Sequence, residues 1–341
     1  NNLLSLPPNL VIKMKKLLYI SLLAPLAAIA QQPKDSITQL EEVVVKAEAP
    51  IKRIQKAAYN VVAIEAQPLQ AVNSNAADIL ARVSGVKMRE TGGVGAEANI
   101  NLNGFTGRHV RTFIDGVPMN GANASFRINN IPAEMIERIE IYKGVVPITF
   151  GADALGGAVN IVTRRSKRNY ANLSYTFGSF NTHKSTLRIG QRLTDNISLE
   201  LNAYQNYSDN NYKVFTKYLD VHTGVFSKEP RWFTRFHDRY HNEALIGRLN
   251  IFNEKWADKL SFGLNYNQEY KQIQNANLMQ IVFGGKYRTS HTYSSSMEYE
   301  KKNIIRGLSF ALTGRYDLTT TRNTDEEPRQ YAWDGTYRTK A

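Results

Sequence analysis

Residues 138–164 read RIEIYKGVVPITFGADALGGAVNIVTR, and this stretch decides the fold that the sequence predicts. At its start Ile139 and Ile141 alternate with charged and aromatic residues, which is the two-residue period of a β-strand. Residues 158–163 are rich in small and β-branched side chains and predict a second strand. Glycines between the strands allow tight turns and close passage of the backbone, where a Cβ atom would clash. These glycines are Gly144, Gly151, Gly156 and Gly157.

The preceding sequence extends this stretch into a compact α+β domain over residues 50–165. Residues 76–83 predict a helix because their apolar side chains share one face, and an asparagine or serine at 73–75 is expected to cap its start. Asp115 and Gly116 predict a tight turn. The other expected elements are strands at 86–89, 99–102 and 110–114 and a short helix at 132–135.

The character of the sequence changes after residue 167, where polar and apolar residues begin to alternate. Each alternating segment is roughly eight to thirteen residues long and is rich in Tyr, Leu, Thr and Asn. Such alternation is typical of a transmembrane β-barrel, in which one face of a strand meets lipid and the other meets the lumen. The predicted strands are 170–177, 186–193, 197–207, 241–251, 260–269, 292–299 and 308–320.

The connections between these segments alternate in length, as short periplasmic turns and long outer loops do. Asp195 and Asn196 form a short connection, whereas residues 208–240 and 271–290 form long ones. A soluble β-sandwich is the alternative, but almost no segment has the continuous hydrophobic inner face that a sandwich needs. The residues expected in aromatic girdles at the strand ends are Tyr175, Phe177, Phe180, Tyr204, Tyr207, Tyr266 and Tyr270.

A secretory signal precedes these two regions. The pattern begins at Met14 with two following lysines, then an apolar run too short for a membrane-spanning helix, then a small-residue cleavage site. We therefore expect residues 1–13 to be upstream, non-native sequence and residues 14–30 to be a cleaved signal peptide. The mature protein would begin at Gln31.

Residues 31–49 are expected to be a flexible N-terminus that carries a short extended segment. The first ten of these residues are largely polar, and three consecutive valines then favour an extended conformation. Such a segment can be an ordinary strand of the next domain, or it can add itself to the sheet of a partner. Its position between a polar tail and the first folded domain favours the second role. The segment consists of Glu42, Val43, Val44, Val45 and Lys46.

In this order and behind a signal peptide, these pieces resemble one family, the TonB-dependent outer-membrane receptors. The resemblance implies that residues 42–46 are the TonB box and residues 50–165 the α+β plug domain. Residues 166–341 would be the first strands, about seven, of a transmembrane antiparallel β-barrel that is incomplete in this chain. One departure is Asn103-Gly104, where the family usually has Arg-Gly. The plug motif would comprise Asp115, Gly116, Gly144, Gly151, Gly156 and Gly157.

Composition and motifs argue against several other classes. The chain has no cysteine and its six histidines are dispersed, so we predict neither a metal site nor a cofactor. Glycine-rich segments at 92–95 and 151–157 lack the lysine and helix of a phosphate-binding loop. No catalytic constellation is present, and we predict that the protein is not an enzyme. The net charge of +13 is scattered, which favours an anionic lipopolysaccharide surface over nucleic acid.

The resemblance implies energy-coupled import across the outer membrane of a Gram-negative bacterium. A scarce solute would bind at the outer face, shift the plug and expose the TonB box to TonB, which acts with its inner-membrane motor complex. We expect a ferric chelate, either ferric citrate or a siderophore, because amide, hydroxyl and guanidinium donors suit an anionic chelate. The plug residues expected to face this ligand are Arg108, His109, Asn120, Asn123, Ser125, Phe126 and Arg127.

The sequence leaves the ligand open and allows other functions. Receptors of this kind also import cobalamin, haem or glycans, and the plug alone does not choose among them. A passive porin or an adhesion barrel is a second class, but such barrels lack the TonB box and the plug motif. A soluble basic binding protein is a third class, and its solubility without detergent would distinguish it.

Overall fold

The computed structural model describes residues 60–70, 74–119, 127–147, 150, 154–164, 169–275 and 279–339. The upstream segment 1–13, the signal peptide 14–30 and the TonB box 42–46 lie outside these residues, and they stay predictions. All described residues belong to one compact unit, Glu48–Ala341. Among them, no helix combines the length and the apolar character needed to cross a membrane.

A five-stranded mixed sheet forms the centre of the plug. The strands of this domain are β1 (Val61–Glu65), β2 (Val86–Glu90), β3 (Ala98–Leu102), β4 (Val110–Ile114), β5 (Val117–Pro118), β6 (Ile136–Lys143) and β7 (Gly157–Thr163). The sheet has the order β1-β6-β7-β4-β5, while β2 and β3 form a separate hairpin. Strands β4 and β7 run parallel, and the other paired strands are antiparallel.

Both faces of β6 are buried over residues 139–142. Ile139 and Ile141 lie in the main hydrophobic cluster, and Tyr142 lies in a smaller cluster on the other face. Glu140 shares the face of Tyr142 and is also buried. Its carboxylate accepts hydrogen bonds of 3.0 Å from the Tyr142 hydroxyl and from Asn160 Nδ2, which offset the cost of burial.

One α-helix, α1 (Ala76–Leu80), covers this main cluster. Asn75 caps it, because Asn75 Oδ1 accepts from the amides of Ala77 and Asp78 while Asp78 Oδ2 accepts from the Asn75 amide. The expected helix over 76–83 is therefore shorter by three residues, since the chain tightens after Leu80 into turns that bond three residues back. In the described part of the plug, four 3-10 turns complete the domain, at Gln67–Leu69, Gly107–His109, Ile128–Asn130 and Ala133–Met135.

A seven-stranded antiparallel sheet follows the plug. The remaining strands are β8 (Tyr170–Gly178), β9 (Thr182–Arg192), β10 (Ile197–Ser208), β11 (Lys213–Thr216), β12 (Arg231–Thr234), β13 (Tyr240–Glu254), β14 (Ala257–Gln272), β15 (Val282–Phe283), β16 (Lys286–Ile305), β17 (Leu308–Asp325), β18 (Arg329–Tyr331) and β19 (Tyr337–Thr339). Strands β8, β9, β10, β13, β14, β16 and β17 pair in this order as a meander that is open in the described residues. The expected fold class, an α+β plug followed by an antiparallel barrel sheet, is confirmed.

The large sheet turns one face to the plug, and the side chains alternate accordingly. Along β10, Asn202 and Asn206 are buried toward the plug, whereas Leu199 and Leu201 lie on the opposite face. Met135 of the plug packs in a small apolar cluster on the inner face of β10 and β13. The sheet therefore has an apolar outer face and a largely polar inner face, as a membrane barrel does.

An aromatic row crosses the outer face near one end of the strands. Ring centroids are 5.1 Å apart for Phe177 and His183, 5.9 Å for His183 and Tyr207, and 6.0 Å for Tyr207 and His241. The expected girdle positions Phe177 and Tyr207 lie in this row, which also includes the two histidines. The expectation for Tyr204 was wrong: it is buried against the plug, because it shares the inward parity of the asparagines of β10.

Two connections at one end of the sheet are long, although residues 179–181 at the same end form a tight turn, and the connections at the other end are short. Residues 209–239 contain the hairpin β11–β12, and residues 273–285 contain β15, which joins β18 and β19. At the opposite end the strands are joined by residues 193–196, 255–256 and 306–307. We call the end with the two long connections the loop end; in membrane barrels, long connections are typical of the outer side.

We predict that Leu264→Arg destabilises the protein far more than Gln268→Arg. Leu264 is 69% exposed on the outer face of β14, and arginine at the midplane of a bilayer costs about 2–4 kcal/mol. Gln268 is on the same face nearer the loop end, where the cost falls to about 0–1 kcal/mol. Urea unfolding of the full-length protein in lipid vesicles gives both values. Equal costs would contradict a lipid-facing surface.

Candidate ligand-binding site

A cavity of about 840 Å³ lies at the loop end, between the plug and the long connections of the sheet. We call it the basic cavity. The plug contributes the loop between β2 and β3, and the sheet contributes the starts of β13 and β16 and the end of β14. Its lining residues are Arg89, Thr91, Gly92, Gly93, Val94, Ala96, Glu97, Arg127, Asn210, Tyr212, Arg235, Asp238, Tyr240, Lys271, Gln272, Ile273, Gln274, Asn275, Met279 and Arg288.

Cationic side chains outnumber carboxylates in the lining of the basic cavity. The two carboxylates are Glu97 and Asp238, and Asp238 is paired with a cation, Arg235, at 2.9 Å. Positive charge gathered in a concave surface raises the local concentration of anions. The cavity therefore suits an anionic ligand. The cations are Arg89, Arg127, Arg235, Lys271 and Arg288.

The floor of the cavity is an ion pair between plug and sheet. Arg127 Nε donates to Glu269 Oε2 at 2.9 Å, and Arg127 Nη2 donates to Glu269 Oε1 at 3.3 Å. The Tyr240 hydroxyl donates to Glu269 Oε2 at 3.0 Å and accepts from Asn130 Nδ2 at 2.6 Å. Asn206 Nδ2 also donates to the Asn130 carbonyl at 3.0 Å. Residues 127–130 are thus tied to three strands of the sheet.

The pKa of Arg127 reflects this pairing. Burial lowers the pKa of the guanidinium, but the hydrogen bond and the charge of Glu269 outweigh burial and raise it above its ordinary value. At the rim the balance is reversed for Asp238, whose pKa is raised by burial although Arg235 opposes the rise. Arg127 therefore stays charged beside the cavity.

The glycine-rich loop over residues 91–97 forms one wall and is held by side chains of the sheet. Val94 N donates to Asn210 Oδ1 and Val94 O accepts from Asn210 Nδ2, both at 2.9 Å. Lys271 Nζ donates to Gly95 O at 2.7 Å. Glycine is required at Gly93 and Gly95 because a Cβ would lie 2.3 Å from Asn210 Oδ1 and 2.1 Å from the Tyr240 ring.

Gln274 adds an unusual polar group to the lining. Its side chain is 2% exposed, and within the described part of the chain neither its Oε1 nor its Nε2 has a hydrogen-bond partner. A buried amide without partners costs about 1–3 kcal/mol. A polar ligand in the basic cavity would satisfy it.

A second ion pair ties the plug to the sheet farther from the loop end. Arg248 Nη1 lies 2.7 Å from Asp115 Oδ2, and both side chains are buried. Thr163 holds the same carboxylate, donating from its amide at 2.9 Å and from its hydroxyl at 2.6 Å. Asp115 and Gly116 form the expected tight turn with φ of 50° and 80°. Asp115 is therefore a turn residue and also an anchor between the two domains.

The predicted site residues lie in different places. Of the plug residues expected to face the ligand, Arg127 lines the basic cavity, whereas Arg108 and His109 lie on the exposed turn Gly107–His109 and line none of the described cavities. The positions Asn120, Asn123, Ser125 and Phe126, like Gly151 and the TonB box, lie outside the described residues. Gly144, Gly156 and Gly157 flank β6 and β7, and a Cβ on Gly157 would lie 2.3 Å from Tyr142 O.

Sequence reasoning missed most of the basic cavity. Arg89, Arg235, Lys271 and Arg288 come from four separate segments, and nothing in the sequence brings them together. The one signal in the sequence is the glycine run at 92–95, which predicts a loop whose backbone can pass close to neighbouring groups. Among the described residues, no group of three or more histidines or carboxylates is arranged to hold a metal ion.

The plug sequence matches a known family. Residues 53–158 match the TonB-dependent receptor plug domain. Together with the meandering sheet that encloses this domain on one side, the match defines the class. Residues 53–158 therefore form the plug domain of a TonB-dependent receptor.

Individual relatives agree with this class. Over 90 residues, 26% of this chain and 15% of the relative, the chain is 37% identical to the vitamin B12 transporter BtuB of Vibrio vulnificus. The fold is similar to the ferric enterobactin receptor PfeA of Pseudomonas aeruginosa (TM-score 0.54, 19% identity, 79% of this chain and 42% of that chain). It is also similar to the siderophore receptor PiuA of Acinetobacter baumannii (0.53, 13%, 78% and 37%). The chain thus spans 37–42% of the length of these receptors.

We predict that Gly95→Ala loosens the loop at 91–97, whereas Gly104→Ala does not. Both glycines have positive φ, 74° and 92°, so alanine strains the backbone in each. Only at Gly95 would the new Cβ collide with Tyr240, because nothing lies within 4 Å at Gly104. Amide hydrogen exchange at Val94 should accelerate in Gly95→Ala alone. Unchanged exchange there would show that Tyr240 does not hold the loop.

Proposed function

We propose that the chain belongs to a receptor that actively imports an anionic ferric chelate across the outer membrane, with energy delivered through TonB. The observation that carries the proposal is the basic cavity, where five cations and two carboxylates line a concave surface at the loop end. Its position between the plug and the long loops supports a site that is open to the exterior and closed below by the plug.

The chemistry of ferric chelates suits this cavity. Citrate and siderophore complexes of iron commonly carry net negative charge and present oxygen atoms on their surface. Arginine and lysine bind such oxygens through charge-assisted hydrogen bonds, which are stronger than neutral ones. The volume of about 840 Å³ falls in the range of about 300–1,000 Å³ that is typical of small-molecule sites.

The names of similar proteins support the same class of ligand. The solved structures include a ferric enterobactin receptor, a siderophore receptor and a ferric-catecholate import receptor of Escherichia coli K12 (TM-score 0.54, 15% identity). Cobalamin is the second candidate, favoured by the 37% identity to a vitamin B12 transporter over 90 residues. Haem and glycans are further outcomes of an uptake test. A passive porin is disfavoured by the plug match.

The coupling step would use the N-terminal segment. In the proposal, the signal peptide 14–30 is removed, and residues 42–46 pair as an added strand with TonB, which is driven by its inner-membrane motor complex. Residues 50–165 form the plug, and the strands from residue 166 onward sit in outer-membrane lipid and lipopolysaccharide. The receptor binds and moves its cargo and performs no covalent chemistry, so it is not an enzyme.

We predict that Arg288→Gln weakens binding of ferric citrate by about tenfold, because one charge-assisted contact is lost. Arg288→Lys keeps the positive charge and should retain most of the affinity. Lys255→Gln, in a short turn at the opposite end, is the matched control and should have no effect. Titration of the detergent-solubilised full-length receptor with ferric citrate, ferric siderophores, cobalamin and haem measures the affinities. If cobalamin alone binds, the ferric proposal fails.

We predict that Val44→Pro abolishes uptake but preserves surface binding. Proline removes a backbone donor and prevents strand pairing with TonB. Ser36→Pro, in the polar tail before the box, is the control and should transport normally. Uptake of radiolabelled ferric chelate by iron-limited cells that express full-length receptor gives the result. Normal uptake by Val44→Pro would rule out this segment as the TonB box.

A further inference from the structure

We infer that Arg127 binds a carboxylate of the ligand in the basic cavity. Glu269 occupies the Arg127 guanidinium when no ligand is bound, so Glu269 and the carboxylate of the chelate compete for it. The inference rests on the proposed function and deepens it. It names the ligand class as a carboxylate-bearing chelate, and it adds a plug–sheet contact that the ligand replaces.

The contact has the geometry of carboxylate recognition. Two nitrogens of Arg127 donate to the two oxygens of Glu269, at 2.9 and 3.3 Å, so the ion pair is bidentate. Bidentate donation by a guanidinium matches a planar group with two oxygens, such as a carboxylate, and gives specificity as well as affinity. Arg127 is 18% exposed and lines the cavity, while the Glu269 side chain is 2% exposed and lies beneath it. A ligand carboxylate can therefore approach Arg127 from the cavity side.

The exchange leaves no buried charge without compensation. Removing one partner of a buried ion pair is costly when the other stays charged and unpaired. Glu269 would keep the hydrogen bond from the Tyr240 hydroxyl, at 3.0 Å. Lys271 lies two residues along the same strand and on the same face, where its positive charge acts on Glu269, and its ammonium donates to Gly95 O. The released carboxylate thus has partners on its own sheet.

The exchange also changes how the plug is held. Arg127 immediately precedes the turn Ile128–Asn130, which Asn130 ties to Tyr240 and Asn206. Ile131, the next residue, accepts through its carbonyl a hydrogen bond from the Ala76 amide at the start of α1. A ligand that takes Arg127 from Glu269 removes one of the ties between this segment and the sheet. Binding is then coupled to a looser plug by a specific bond.

Selectivity follows from the same competition. A ligand must offer a two-oxygen anion that binds the Arg127 guanidinium at least as strongly as the Glu269 carboxylate does. Otherwise Arg127 stays paired with Glu269. Carboxylate chelates such as ferric citrate meet this requirement better than tris-catecholates, whose oxygens are bound to iron. Gln274, whose amide has no partner among the described residues, offers a further hydrogen bond to a polar ligand in the same cavity.

The test compares Glu269→Gln with Arg127→Lys in the full-length receptor. Glu269→Gln keeps the shape but removes the competing charge, and we expect it to bind ferric citrate about tenfold more tightly than wild type. Arg127→Lys keeps the charge but cannot make the bidentate hydrogen bonds of a guanidinium, and we expect at least tenfold weaker binding of ferric citrate. A ferric tris-catecholate should change by less than about threefold in either variant.

Two controls separate competition from a general charge effect. Glu243→Gln removes a carboxylate on the outer face of β13, outside the cavity lining, and should change affinity by less than about threefold. In the double variant Arg127→Lys, Glu269→Gln, the gain from Glu269→Gln should disappear, because the two residues act through one contact. An equal gain in Glu243→Gln, or an undiminished gain in the double variant, would overturn the inference. Resistance of the variants to trypsin confirms that they are folded.

An iron-free probe distinguishes this inference from the proposed function. If wild type binds ferric chelates but Glu269→Gln has unchanged affinity, the inference fails and the proposed function stands. If no ferric chelate binds wild type, the proposed function fails. Calorimetric titration with tricarballylate, a three-carboxylate anion without iron, then still tests Arg127. Tighter binding to Glu269→Gln than to wild type would support the competition, and equal binding would overturn it.

Discussion

The alternation of side chains along membrane strands is the constraint on which the rest of the structure depends. Because the outer face must be apolar for lipid, the residues between those positions face inward and are free to be polar. The plug therefore meets a surface of asparagine, arginine and glutamate instead of a hydrophobic one. Hydrogen bonds and ion pairs, such as Asp115 with Arg248 and Asn130 with Tyr240, hold the two domains together.

Under the proposed import mechanism, this polar interface lets one chain combine a stable plug with plug movement. The plug has its own hydrophobic cluster, in which Ile79, Ile139 and Ile161 are fully buried, and it does not depend on the sheet for its core. Contacts between the domains are individually exchangeable, because a polar ligand or water can replace each hydrogen bond. The apolar contact through Met135 is small by comparison. The proposed import mechanism, in which the plug closes the barrel at rest and moves after ligand binding, needs this division.

Local sequence patterns predicted the strands well and the site poorly. The strands of the large sheet begin and end near the expected residues because alternation is a local property, although β16 and β17 extend beyond the alternating segments that were recognised. The prediction for Tyr204 was wrong because it followed from the aromatic side chain alone. The position of Tyr204 in the alternation of β10 turns it toward the plug, where it is buried. The helix α1 ends early because its last turn tightens, which propensity does not report.

The sequence by itself determined the class. The helix, the strands, the Asp-Gly turn and the alternation of polar and apolar residues in the barrel strands each depend on neighbours only a few residues away. Only the tertiary structure decided the basic cavity. Arg127 meets Glu269 across 142 residues, and Val94 meets Asn210 across 116. Such contacts depend on how the two domains pack against each other, so no local sequence pattern encodes them. The proposed ligand-binding site therefore appears only once the plug lies against the sheet.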